Sequence, residues 1–254
     1  MRRVELTVAY DGTNYAGWQV QDNALTVEEV LNRALKELTG EEIAVTGASR
    51  TDAGVHARGN LAVFDTASPI PPEKFTRALS ARLPKDICVV SSREVPEDYH
   101  PRRVKTRKTY EYRILNSRTP DPLRRLYTWH RYEPLDVTLM QQAAAYLVGE
   151  HDFASFCSPH TQAKTTVRTI HALTVERADD EIRLRVTGNG FLYNMVRIIA
   201  GTLAEVGRGQ TAPEKIPEIL AGCDREASGP TAPPQGLTLI AITPEADDPE
   251  STEK

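Results

Sequence analysis

The chain has 254 residues, room for one large or two medium domains, and 40% hydrophobic with 26% charged residues is ordinary globular composition. No apolar run approaches the roughly 20 residues that a spanning helix needs, and the N-terminus has none of the roughly 7–15 apolar residues of a secretory signal, so a cytoplasmic protein is expected. A net charge of −4 argues against nucleic acid only as an average.

Val4, Leu6, Val8 and Tyr10 alternate with polar or small residues and predict a strand that Asp11-Gly12 ends. Thr26 and Glu29 form a capping box before Val27, Val30, Leu31, Ala34, Leu35 and Leu38, an amphipathic helix that Gly40 stops. Ile43 to Ala48 and Asn60 to Asp65 read as strands, Pro72 to Leu83 as a helix opened by proline, and Ile87 to Ser92 as a strand. The order is β-α-β-β-α-β.

The second half repeats that order. Strands are predicted at Arg107–Asn116, Thr169–Glu176 and Glu181–Gly188, helices at Val137–Val148 and Leu192–Val206, and a closing strand at Leu237–Ile242. Two such halves, 1–103 and 104–244, predict an α+β protein with largely antiparallel sheets, helices on one face, and a cleft where the halves join. Residues 245–254 form an acidic tail that is expected to be disordered.

Between the halves lies a basic run of Arg102, Arg103, Lys105, Arg107 and Lys108, which on composition alone is more often a solvated linker than a phosphate track. The three cysteines, Cys88, Cys157 and Cys223, are odd in number and far apart, which predicts reduced core thiols. Cys157 and His160 make only half of a metal site, so no metal is expected.

The segment from Gly47 to His56, GASRTDAGVH, joins two predicted strands yet is longer and more polar than a hairpin needs. A local turn, with an Asx bond from Asp52 and positive φ at Gly54, accounts for it as well as a functional loop does. Resemblance decides between them. GASRTDAGVHARGNLAVF, YDGTNYAGWQVQ, KTYEYRILN, HDFASFC, RTIHALTVER, GFLYNMVRIIAGTL and PPQGLTL are similar, in that order, to the blocks of the tRNA pseudouridine synthase A family, from about Val4 to Ile242. Ser49 stands where a glycine is common, Asn60 where glutamine is common, and Thr238 where the family often has tyrosine.

The resemblance implies isomerisation of uridine to pseudouridine at positions 38, 39 and 40 of the tRNA anticodon stem-loop. It also implies a pseudouridine synthase fold and a homodimer whose tRNA spans both subunits. The reaction breaks the bond from ribose to N1, turns the uracil and reattaches it through carbon. It needs a nucleophile or charge stabiliser, a dry pocket and a proton acceptor, and no cofactor. By resemblance these roles fall to Asp52, with Arg197 as its ionic partner and Tyr110 against the flipped base. Whether Asp52 attacks ribose or base stays open. Arg50 resembles the arginine that fills the space of the flipped nucleotide, and Leu237 and Leu239 look like pocket wall. Arg102, Arg103, Lys105, Arg107, Lys108, Arg124 and Arg125 are candidates for phosphate contacts. An RNA-binding module without turnover is one rival reading, against which the joint presence of Asp52, Tyr110 and Arg197 speaks; a related synthase acting on other RNA positions is the second, and the sequence leaves it open.

Overall fold

The structure is a computed structural model that describes residues 1–159, 161 and 163–245. The expected tail, apart from Glu245, and His160 therefore lie outside the described residues. Its framework is a single ten-stranded sheet in the order β4-β1-β3-β10-β5-β9-β8-β7, with short β2 beside β3 and β6 beside β5. The strands are β1 (Arg2–Tyr10), β2 (Thr46–Gly47), β3 (His56–Thr66), β4 (Ile87–Val95), β5 (Thr106–Asn116), β6 (Trp129–Arg131), β7 (Gly149–Asp152), β8 (Val167–Ala178), β9 (Glu181–Gly188) and β10 (Leu237–Pro244). The helices are α1 (Val27–Thr39), α2 (Phe75–Ser80), α3 (Val137–Ala145), α4 (Met195–Gly207) and α5 (Ile216–Gly222). This is the mixed α+β architecture that the sequence predicts, and most strand pairs are antiparallel.

Alternation in the strands sorts the two faces of the sheet. In β9, Ile182, Leu184 and Val186 are buried while Arg183 and Arg185 are exposed, and these apolar residues sit opposite Ile114, Tyr112 and Tyr110 of β5. The apolar face is covered by helices, with α2 on β4, α3 on β8, and α4 on α3 and β5. The other face carries short-range ion pairs such as Arg113–Glu111 and Arg183–Glu181.

The last strand joins the two ends of the molecule. β10 runs antiparallel to β5 and, through Thr238 and Leu239, parallel to His56 and Ala57 of β3. This pairing draws β3 back to His56, four residues before its predicted start at Asn60. Thus the sheet is continuous across both halves of the sequence, and its middle strands come from distant parts of the chain.

Several local expectations needed correction. Thr26 accepts the Glu29 N–H at 3.4 Å and Gly40 ends α1 with φ 74°, but the Glu29 carboxylate pairs with Arg33, so the capping box is only half formed. The strand expected at Ile43–Ala48 shrinks to Thr46–Gly47, because Asn32 on α1 takes the Val45 N–H at 2.9 Å and Arg102 caps the Gly47 carbonyl at 2.7 Å. The helix expected from Pro72 opens with a single 3-10 turn before α2. Only Cys157 is a core thiol; Cys88 lies on the solvent face of β4 and Cys223 follows α5, both exposed. Among the described residues no helix is long and apolar enough to cross a membrane.

Candidate active site

The loop from Ala48 to Val55 crosses the apolar face at the middle of the sheet, and neighbouring side chains fix its shape. Asn60, fully buried on β3, clasps Ser49 from both ends of its amide: its oxygen accepts the Ser49 N–H at 3.3 Å and its nitrogen donates to the Ser49 carbonyl at 2.9 Å. The shorter amide at this position thus finds its partners in the loop itself. Tyr10, which receives a 3.4 Å bond from Asn60, meets the Thr51 hydroxyl at 2.7 Å.

The YDGTNYAGWQVQ block forms the outer bracket. The Trp18 backbone N–H bonds the Thr51 carbonyl at 3.1 Å, the Gly54 N–H bonds the Tyr15 carbonyl at 3.2 Å, and the Gly12 N–H donates to His56 Nδ1 at 3.1 Å. Gly17 has φ 92°, and a Cβ there would sit 2.5 Å from the Thr51 carbonyl oxygen, so only glycine lets the bracket approach so closely. The turn itself is closed by Val55 N–H on the Asp52 carbonyl at 3.1 Å. The Asp52 side chain reaches outward instead, to Arg197.

Arg197 comes from the first turn of α4. Its Nη1 lies 3.4 Å from Asp52 Oδ2 and 2.7 Å from Asn194 Oδ1, while its Nε donates to the Ala232 carbonyl at 2.7 Å. The side chains of Asp52 and Arg197 are 28% and 15% exposed. A bidentate clamp is therefore absent: one nitrogen touches one oxygen at long range. The electrostatics follow from that geometry. Burial pushes the Asp52 carboxyl above its usual range, and the pull of Arg197 only partly offsets it.

A cleft of about 820 Å³ opens beside this pair, lined by the loop, by Lys108 and Tyr110 of β5, by the segment from Phe191 to Val196, and by Leu237 at the start of β10. Tyr110 is buried, its hydroxyl 3.0 Å from Ser49 Oγ and its ring edge-on to Phe191 at 5.2 Å. Burial pushes its phenol up to about 12; the Ser49 bond opposes that rise and the Asp52 charge adds to it. Lys108 is held by the Ala48 carbonyl at 3.2 Å, and burial, followed by Arg102 and Arg168, pulls its ammonium down to about 8. Asp52 is the single acid among the described residues lining the cleft, against Arg50, Arg102 and Lys108. The site is locally basic within a chain of net negative charge.

The structure thus brings together Asp52, Arg197, Tyr110, Arg50, Arg102, Lys108 and Leu237. Leu239 does not join them: it is wholly buried beside Tyr110 in the sheet and belongs to the core. Arg103, Lys105 and Arg107 are exposed outside the cleft, as is Arg125. Arg124 is paired with Asp180 at 2.5 Å and Asp121 at 2.9 Å, away from the cleft. Tyr112 is buried with its hydroxyl on the Pro233 carbonyl at 2.8 Å.

Four cleft or support residues carried no role from the sequence: Ser49, Trp18, Phe191 and Asn194. Lys108 had a legible clue, since it shares period-two parity with Tyr110 and Tyr112 and so faces the same side of β5.

A family model for tRNA pseudouridine synthases matches residues 6–102 and 143–243, well over half of the chain. The chain belongs to the tRNA pseudouridine synthase family. Among its relatives, the tRNA pseudouridine synthase A of Brevibacillus brevis is 51% identical over 242 residues, and that of Thermoanaerobacter sp. is 49% identical over 242; each alignment spans 95% of this chain and 99% of the relative. The tRNA pseudouridine synthase A 2 of Clostridium perfringens is 46% identical with the same coverage. Within this synthase the matched segments include every residue of the Asp52 loop, Asn194 and Arg197, whereas Lys108 and Tyr110 fall between them.

Proposed function

We propose that this synthase isomerises uridine to pseudouridine in tRNA, at positions 38–40 of the anticodon stem-loop, with the Asp52 carboxylate as the reacting side chain. The observation that carries the reading is Asp52 itself. Among the described residues it is the one acid lining a basic cleft, partly desolvated, held on a braced loop and touched by Arg197 from the other half of the sequence. In this view residues 1–103 supply the Asp loop, residues 104–244 the Tyr strand and Arg helix, and the enzyme works as a cytoplasmic homodimer.

The chemistry uses few groups. The N1–C1′ bond breaks with its electron pair on uracil, the base turns, C5 bonds to C1′, and the C5 proton leaves while N1 gains one. Asp52, as nucleophile or as counter-charge to an oxocarbenium-like ribose, needs its ionised form, which Arg197 favours and burial opposes. Tyr110 enters as a neutral phenol. It accepts the C5 proton only while passing on its own, and the Ser49 hydroxyl at 3.0 Å is the neighbour placed for that transfer. A paired uridine must first leave its stem, at a few kcal/mol of stacking and pairing that phosphate contacts at Arg50, Arg102 and Lys108 offset.

The test is direct. Transcribed tRNA incubated with the enzyme and sequenced by pseudouridine-sensitive chemistry gains signal at 38, 39 or 40; signal confined to other positions assigns the cleft to another RNA site.

A further inference from the structure

Asn194 occupies the N-cap of α4 but does not cap it. A residue there ordinarily keeps an extended backbone and lends its side-chain oxygen to the N–H groups of the first turn. Asn194 instead sits at φ 61°, ψ 5°, in the left-handed region, and makes no cap bond. Its amide turns toward the cleft, Oδ1 accepting from Arg197 Nη1 at 2.7 Å and Nδ2 donating to Ser158 Oγ at 2.9 Å. Backbone strain and a forfeited cap are tolerated where surrounding structure fixes them, and such outliers gather at functional sites.

The geometry at Arg197 supplies the purpose. The same Nη1 that Asn194 holds at 2.7 Å stands 3.4 Å from Asp52 Oδ2, and Nε is pinned to the Ala232 carbonyl at 2.7 Å. A guanidinium free to turn would close on the carboxylate in the tighter, two-bond arrangement that arginine and carboxylate prefer. We propose that Asn194 is a positioning residue that holds Arg197 off Asp52, so that the carboxylate keeps an open oxygen for the substrate. This deepens the reading of Asp52 as the reacting group and rests on it. Among the described residues, the other charged or titratable groups around the cleft and the pair are Arg50 on the same loop, Arg102, Lys108, Tyr110 and Tyr112 on and before β5, Arg168 on β8, and Tyr193 beside Asn194. None of them bridges Asn194 to Arg197.

The experiment is the pH profile of single-turnover isomerisation at saturating enzyme for wild type, Asn194→Gly, Asn194→Asp and Asp52→Asn. Glycine adopts the left-handed backbone freely, so Asn194→Gly folds; it loses the Arg197 tether together with the bond to Ser158, which touches neither Arg197 nor Asp52. Arg197 then closes on Asp52: the acid limb moves down by about half to one pH unit, the plateau rate falls roughly tenfold, and tRNA affinity is unchanged. Asn194→Asp adds a carboxylate that draws Arg197 further from Asp52, and the acid limb moves up. Opposite shifts are the signature of control over Arg197, which a merely structural role would not produce. An Asn194→Gly limb that stays at the wild-type position or moves up overturns the proposal, while Asp52→Asn remains inactive. Turnover by Asp52→Asn overturns the catalytic reading instead.

Discussion

Removing Arg197 and removing Asp52 perturb the same contact, yet only the first is expected to destabilise the protein. Arg197→Met deletes the bonds to Ala232 and Asn194, both 2.7 Å, as well as the 3.4 Å approach to Asp52. Hydrogen bonds from a charged donor contribute about 1.5–3 kcal/mol each, so two good ones and a weak one, in a side chain 15% exposed, put the loss at about 3–4 kcal/mol. Asp52→Asn breaks only the weak contact and removes a carboxylate whose ionisation burial opposes. A raised carboxyl favours the native state below the unfolded value, and that advantage disappears as pH rises through the folded value, so ionised Asp52 lowers stability at neutral pH. Asp52→Asn is therefore as stable as wild type or more so at pH 7. For one long contact to a side chain 28% exposed, the coupling in the double-mutant cycle is about 1 kcal/mol. Urea unfolding of the four proteins at pH 7 measures all three quantities. Losses that add within about 0.5 kcal/mol mean that the pair does not interact, and an Asp52→Asn protein as unstable as Arg197→Met refutes the account of how Arg197 is held.

Lys108 should titrate near pH 8, so tRNA affinity falls as pH rises through that value; Lys108→Arg removes this pH dependence in a binding titration, and a persisting one places the titrating group elsewhere. Burial also makes its charge costly below pH 8, so Lys108→Met gains stability at pH 7 while binding tRNA roughly tenfold less tightly. Replacing Arg102 and Arg103 by alanine flattens the salt dependence of tRNA binding, whereas Arg124→Ala, which breaks a network with Asp121 and Asp180, leaves the slope unchanged. Tyr110→Phe keeps the ring against Phe191 and loses the Ser49 bond, so it binds tRNA normally and forms product more slowly; an undiminished rate confines Tyr110 to packing.

Much of the fold was legible because the rules that set it are local. Alternation in β1, β5 and β9 and the Thr26 and Gly40 signals of α1 depend on neighbours within a few residues. What was lost depends on distant partners. No periodicity in 43–48 reveals that Asn32 and Arg102 will occupy its hydrogen bonds, and nothing in His56 or Ala57 announces that β10 will extend β3 by pairing with them. β6, β7 and α5 are too short to show a period.

The candidate site divides in the same way. Asp52, Arg197 and Tyr110 could be named through the family resemblance, and their separation in sequence called for a meeting across the two halves. Leu237 and Leu239 have equal claims in sequence, and only the position of the cleft over the sheet separates lining from core. Asn194 falls inside the helix predicted over Leu192–Val206; that it instead precedes α4 with a left-handed backbone and an amide on Ser158 and Arg197 shows only in the fold.

The central claim is that the Asp52 carboxylate performs the isomerisation. Its most direct measurement is single-turnover conversion of tRNA uridine by purified Asp52→Asn, with tRNA affinity determined on the same preparation. The account predicts unchanged folding, near wild-type affinity and no pseudouridine above background. Conversion at a rate approaching that of wild type would contradict it.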